Sequence, residues 1–257
     1  MHVAARSMSS ELRSARRDTT LVLTISDAAS GNALTQQICA AGVEALAVAE
    51  ADATVSSVVI HGDGGNFSSG AAMPRPDAVA GRTGNVASSA LDALHAWIDG
   101  LHAFPKPVVA AVDGVAADGG LALALACDLI VAAQDARFVV AGATAGRSPV
   151  AGLSWQLGQR LPRGLALQWL WLGATVDARA MQQLGLVAAV TPHGSALDEA
   201  LRLGERLAAV PFAGSAAVKE LVDASLANTL TQQLDLEKSR LADVVADRAS
   251  SRSGDLA

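Results

Sequence analysis

The stretch Pro107–Ala133, PVVAAVDGVAADGGLALALACDLIVAA, constrains the fold of this chain more than any other. Val108–Val112 is an unbroken apolar, largely β-branched run, the pattern of a strand buried on both faces. Asp113–Gly120 is a small-residue turn, Leu121–Ala126 an Ala/Leu helix and Leu129–Ala133 a second strand. Gly119 and Gly120 stand where the turn becomes the helix. The first N–H groups of a helix have no internal partner, and glycine leaves room for another oxygen to approach them. An oxygen that gains negative charge during a reaction is stabilised at such a place. Small residues at a strand-to-helix turn also serve packing alone, so the stretch is one half of a candidate site.

The rest of the chain sets the class. Leu21–Ser26 and Val55–His61 read as strands, and Thr35–Glu50 as an Ala-rich amphipathic helix. Ser88–Ala103 carries Leu91, Leu94, Ile98 and Leu101 at helical spacing. Phe138–Val140 and Val187–Val190 are short strands; Leu153–Leu161, Gly164–Leu172 and Asp177–Leu184 are helices. Ala196–Ala209, Gly214–Ala227 and Thr231–Arg248 are helices with no strand between them. Strands alternating with helices predict an α/β chain with mainly parallel strands. The expected organisation is a disordered leader over 1–18, a core over 19–193, a helical region over 194–250 that packs on another subunit, and a frayed tail over 251–257. Pro74–Asn85, rich in Pro, Gly and Arg, reads as a mobile loop.

Composition excludes several functions. The 257 residues carry a net charge of −6, no Tyr, four Phe and four Trp. That argues against a nucleic-acid partner, which needs a basic surface and stacking platforms. Mean hydropathy is high, at +0.33, yet no uncharged apolar run approaches the ~18 residues of a membrane span. The start, MHVAARSMSSELRSARRD, lacks the apolar segment of a secretory signal. Cys39 and Cys127 lie in apolar helical contexts and read as buried thiols, so a cytoplasmic location is expected. No His/Cys/carboxylate set has metal-ligand spacing, and no metal is expected.

The second half of the site is the loop after Val55–His61: Asn66, Phe67, Ser68, Ser69, Gly70, Ala71, Ala72, Met73. Like the Ala117–Gly120 turn, it offers a backbone N–H where steric bulk is low. Two such donors on one oxygen polarise a carbonyl.

The order of these pieces resembles the crotonase superfamily of enoyl-CoA hydratases and isomerases, from about Leu21 to about Leu234. Asn32-Ala33-Leu34 follows the first strand, and Phe67–Ala71 matches the family's F-x-x-G-A loop. Pro105-Lys106-Pro107 and AAVDG precede the Gly turn, and Ala126–Ile130, Ala136–Phe138 and Gly185–Val187 follow in family order. Ser154–Trp171 is similar to oxepin-CoA hydrolase-like and phenylacetate-pathway members. The resemblance implies a crotonase-like (ClpP/crotonase) spiral of ββα units with a C-terminal helical layer, assembled as a trimer or hexamer. It implies an acyl-CoA ligand, with coenzyme A part of the substrate and no separate cofactor. By position, the thioester oxygen would be held by the N–H groups of Ala71 and Gly119. Ala33, Ser69, Ala72 and Met73 would line the coenzyme, and Lys219, otherwise a solvated helix-face residue, would meet a coenzyme phosphate.

The chain departs from that pattern where hydratases keep two glutamates. Ala122 and Gly142 stand there, and Val150 occupies a third acidic position used by some members. A positioned acid or base contributes roughly 10²–10⁴-fold, so losing two removes about 5–11 kcal/mol of barrier lowering. Asp118 is the leading substitute, either as a displaced carboxylate or as the N-cap of the following helix. Asp63, His61, Ser68 and Ser69 could form a hydrolytic set only by converging, and the G-x-S-x-G elbow is absent. Arg147, near the third position, could face a carboxylated acyl group or lie on a surface loop. The expected function is an enoyl-CoA hydratase/isomerase-like protein with altered catalytic residues; the alternative is a non-catalytic acyl-CoA-binding or partner subunit.

Overall fold

The computed structural model describes residues 10–72, 84–146 and 148–254. Met73, Arg147 and most of the Pro74–Asn85 loop lie outside these. The main sheet has six strands in the order β1-β2-β3-β4-β6-β9. These are β1 (Glu11–Arg17), β2 (Thr20–Ser26), β3 (Ser57–Gly62), β4 (Val108–Val112), β6 (Leu129–Ala133) and β9 (Ala189–Thr191). All pairings are parallel except β1 with β2. A smaller sheet joins β5 (Val115–Ala117), β7 (Arg137–Val140) and β8 (Ala174–Asp177). The nine helices among the described residues are α1 (Gln36–Ala51), α2 (Gly84–Ala103), α3 (Gly119–Ala126), α4 (Leu153–Arg160), α5 (Arg163–Leu172), α6 (Ala178–Gln183), α7 (Ala196–Ala208), α8 (Phe212–Ala224) and α9 (Leu230–Gly254).

The apolar run in β4 is unbroken because both of its faces are covered. Val108, Ala110 and Val112 join Val58 and Ile60 in the large core beneath α1, α2 and α3. Val109 and Ala111 join Val59 and Val131 in a second cluster, covered by Ala196 and Ala200 of α7. Every residue of α3 is buried, which is why it is apolar on all sides. Two helices start at side-chain caps: Thr35 Oγ1 accepts from Ile38 N at 3.2 Å at the start of α1, and Asp177 Oδ1 from Ala180 N at 2.8 Å at the start of α6. A Cβ on Gly42 of α1 would fall 2.2 Å from the Trp97 ring of α2, so the two helices cross in close contact there.

Four sequence expectations are corrected. Residues 11–17 are not part of a disordered leader; they form β1, paired along its length with β2. Arg13 bonds Asp63, and Arg16 reaches Asp52 at 2.9 Å and the Thr54 carbonyl at 2.9 Å, so charged side chains tie this edge strand down. The helical region after 193 is not wholly given to another subunit, because its first helix, α7, closes this chain's own sheet. The Asp113–Gly120 turn contains β5, which pairs with β7. The expected frayed tail is helical as far as Gly254.

Candidate functional site

The loop after β3 and the turn before α3 are held together by backbone bonds. Ser68 N donates to Val115 O at 3.0 Å, and Ala117 N donates to Ser68 O at 2.9 Å. On the other side Leu34 N donates to Gly70 O at 2.8 Å and Ala72 N to Leu34 O at 3.0 Å. Ser69 N bonds Gly31 O at 2.8 Å, and Gly70 N bonds Ser68 Oγ at 3.1 Å. These bonds use the amides of residues 68, 69, 70 and 72. Among the described residues, the Ala71 amide and the first amide of α3, at Gly119, donate to no protein group.

The two free amides are neighbours. A Cβ on Gly119 would come 3.0 Å from Ala71 N and 3.2 Å from Leu94 Cδ2. Gly70, at φ +103°, brings its backbone so close that a Cβ would meet Ala117 O at 2.9 Å and Gly119 N at 3.3 Å. Glycine is required at 70 by the left-handed backbone; at 119 its missing side chain leaves the space beside Ala71 N open. Two adjacent unspent N–H groups at a buried helix start suit an acceptor oxygen from outside the chain.

Asn32 was not among the residues singled out for a role, although it sits in the Asn32-Ala33-Leu34 motif. It is fully buried at φ +60°. Its Oδ1 accepts from Asp27 N at 2.8 Å, and its Nδ2 donates to Asp63 O and Asn66 O, both at 2.7 Å. It therefore fastens the segment before α1 to the loop after β3. Asn tolerates the left-handed region better than other non-glycine residues, and a buried Asn with positive φ carries no periodicity that a sequence would reveal.

Ala33, Ser69 and Ala72 lie around this junction. Ala33 N donates to Ser30 Oγ at 3.1 Å and Ser69 Oγ donates to Ser30 O at 2.9 Å. Asp118 does not cap α3: its side chain makes no bond to the helix start. Its Oδ1 instead accepts from Ala141 N at 2.8 Å. Lys219 is elsewhere. Its Nζ contacts Asp128 Oδ1 at 2.9 Å and donates to Leu101 O at 2.9 Å, past the far end of α3 from Gly119. Eight helical residues put about 12 Å between the two ends.

The hydrolytic set does not form. His61 bonds Thr24 Oγ1 at 2.9 Å, Ser68 Oγ donates to Asn32 O at 2.8 Å, and Asp63 pairs with Arg13. Both cysteines are buried and free; burial pushes the Cys39 thiol up to about 12 and the Cys127 thiol upward as well, so neither is a thiolate at neutral pH. Among the described residues no His, Cys, Asp or Glu group could hold a metal ion, and no helix is long and apolar enough to cross a membrane.

A parallel α/β fold with two unspent amides between a Gly loop and a buried helix start defines the class. The chain belongs to the enoyl-CoA hydratase/isomerase family, whose profile matches residues 16–255. It is similar to the 1,2-epoxyphenylacetyl-CoA isomerase of Escherichia coli, 31% identical over 230 residues that cover 88% of each chain. It is also similar to the 2,3-dehydroadipyl-CoA hydratase of the same organism, at 34% identity over 77% of this chain and 76% of that one. Among solved structures, an enoyl-CoA hydratase from Polaromonas sp. JS666 superposes with a TM-score of 0.87 at 42% identity, over 91% of both chains.

Proposed function

We propose that this chain binds an acyl-CoA thioester and holds its carbonyl oxygen between the N–H groups of Ala71 and Gly119. In that position the pair forms an oxyanion hole and stabilises the negative charge that gathers on this oxygen in an enolate, as when water adds across an enoyl thioester, its oxygen to the β carbon and a proton to the α carbon. The observation that carries this reading is the adjacency of the two unspent amides. A donor of this kind is worth roughly 3–4 kcal/mol. Both named Escherichia coli relatives act on coenzyme A thioesters, as their names state. This reading runs the coenzyme past Ala33, Ser69 and Ala72.

A second reading, a non-catalytic acyl-CoA-binding or partner subunit, is favoured by Ala122 and Gly142 at the positions of the hydratase glutamates. Ala122 is fully buried within α3, and a Cβ on Gly142 would lie 2.4 Å from Gly173 N. Titration calorimetry with crotonyl-CoA and with free coenzyme A, alongside a hydration assay on crotonyl-CoA, separates the cases. Tighter binding of the thioester with turnover supports the enzyme. The same preference without turnover on any acyl-CoA supports the second reading. No preference for the thioester overturns both.

The assembly belongs to the same proposal. Helices α8 and α9 pack on each other yet leave Val218, Val222, Leu230 and Leu241 more than 60% exposed. Further copies of this chain, in a trimer or hexamer, would cover them. Two buried free thiols suit a cytoplasmic location.

A further inference from the structure

We infer that Asp118 is a positioning residue, whose carboxylate fixes the peptide plane carrying the Gly119 N–H. This deepens the two-donor reading above and rests on it. The Gly119 nitrogen shares its amide plane with the Asp118 carbonyl, so whatever holds Asp118 aims that donor. Three bonds to described residues hold it. The Asp118 N–H donates to Val139 O at 2.9 Å, its carbonyl accepts from Ala122 N at 2.9 Å, and its Oδ1 accepts from Ala141 N at 2.8 Å. The first and third go to residues two apart at the end of β7. They grip one residue by its backbone and its side chain together and so resist its rotation.

The backbone makes the side chain's role specific. Asp118 adopts φ 44°, ψ −107°, outside the regions open to L residues, whereas glycine would adopt it without strain. An aspartate strained where glycine is relaxed requires a compensating side-chain interaction, and the bond to Ala141 N supplies one. What the bond to Ala141 N uses is the acceptor oxygen rather than the charge, and a fixed carboxylate beside the donor opposes charge build-up on a bound oxygen. Asparagine offers the same acceptor oxygen without the charge and is the residue next most tolerant of positive φ.

The test reads the donor directly. Acetyl-CoA labelled with ¹³C at its carbonyl is bound to the wild type, Asp118→Asn and Asp118→Gly, and the carbonyl stretch is recorded by infrared difference spectroscopy. In the wild type the stretch shifts to lower frequency, and Asp118→Asn keeps the shift in full. Asp118→Gly, which removes the strain together with the clamp, folds with an unchanged or higher melting temperature. It shows a smaller shift and about tenfold weaker acetyl-CoA binding, with affinity for free coenzyme A unchanged. Loss of the shift in Asp118→Asn means the carboxylate itself acts on the substrate and overturns the inference, as does a full shift in Asp118→Gly. An absent shift in the wild type is a different failure: it overturns the two-donor reading and the inference falls with it.

Discussion

Gly142 and Gly173 pack backbone to backbone: a Cβ on Gly142 would lie 2.4 Å from Gly173 N, and one on Gly173 would lie 3.0 Å from Ala141 O. Both glycines have positive φ, +71° and +79°. Position 142, where the resemblance places a hydratase glutamate, thus has no room for any side chain in this backbone.

Gly142→Glu is therefore expected to unfold the chain more easily and not to install an acid or base. The backbone conformation alone costs a non-glycine residue roughly 1–3 kcal/mol, and the overlap with Gly173 adds to it. Urea unfolding of Gly142→Ala and Gly142→Glu checks this. Wild-type stability in Gly142→Glu, with new hydratase activity, would show that the loop yields readily.

Asn32 is expected to be more costly to lose than its position in a surface-connected loop suggests. Asn32→Ala removes three side-chain bonds, leaves Asp27 N, Asp63 O and Asn66 O without that partner, and keeps a left-handed φ. At about 1 kcal/mol per bond and 1–2 kcal/mol for the backbone, the loss is about 4–5 kcal/mol. Asn32→Gly relieves only the backbone part and should fall between the two in equilibrium unfolding.

Lys219 binds Asp128 in a partly buried pair, with side chains 14% and 26% exposed. Burial raises the Asp128 carboxyl and the Lys219 ammonium opposes that rise. Removing one partner of such a pair leaves the other buried and uncompensated, at a cost of about 3 kcal/mol. Lys219→Met is expected to be destabilised to that degree, and Lys219→Met with Asp128→Asn to recover part of it. A double-mutant cycle in urea measures the coupling; additive losses would show that the pair contributes nothing.

The strand-turn-helix segment around Gly119 was legible in the sequence because continuous apolar strands and an all-apolar helix have one reading, burial on every side. The family was legible because its motifs are colinear. What the sequence hid is polar and long-range. Glu11–Arg17 looks like a charged leader, since an edge strand with exposed faces has no apolar pattern, and its pairing with β2 is set by register. Val115–Ala117 is too short to show alternation and is a strand only because β7 lies beside it. Asp118 has the composition of a helix cap, yet its Oδ1 is taken by Ala141 N, 23 residues away in sequence. Lys219 is drawn to Asp128, 91 residues away in sequence.

Acid is expected to weaken the fold through His61 and His102, both of which burial holds below the ordinary histidine value. Each is neutral in the fold, while in the unfolded chain each takes up a proton near pH 6.5. Their stabilising contribution is complete above about pH 6.5 and is lost as pH falls through the depressed folded values. Melting temperature should decline from pH 7 toward pH 5. His61→Gln, which keeps a partner for Thr24 Oγ1, should decline less steeply and retain the share due to His102. Identical pH slopes in the two proteins would remove His61 from the account.

Gly119→Ala is expected to separate ligand binding from folding. The new methyl would sit 3.0 Å from Ala71 N and 3.2 Å from Leu94 Cδ2, directly beside one proposed donor and in front of the other. The Leu94 contact is with the end of a flexible side chain and relaxes readily; the Ala71 contact is with backbone, which has to give by a few tenths of an ångström. The backbone at 119 is helical, so alanine there carries no conformational strain and has the higher helix propensity. Stability should change by about 1–2 kcal/mol at most, a mild overpacking cost. Thioester binding should weaken by about 10²-fold, because blocking a donor forfeits about 3 kcal/mol. Calorimetry with crotonyl-CoA and with free coenzyme A reads the difference: a loss confined to the thioester places the carbonyl at the Ala71 and Gly119 amides. An equal loss for both ligands would place the defect in the coenzyme contacts, and undiminished thioester binding would move the carbonyl away from Gly119 altogether.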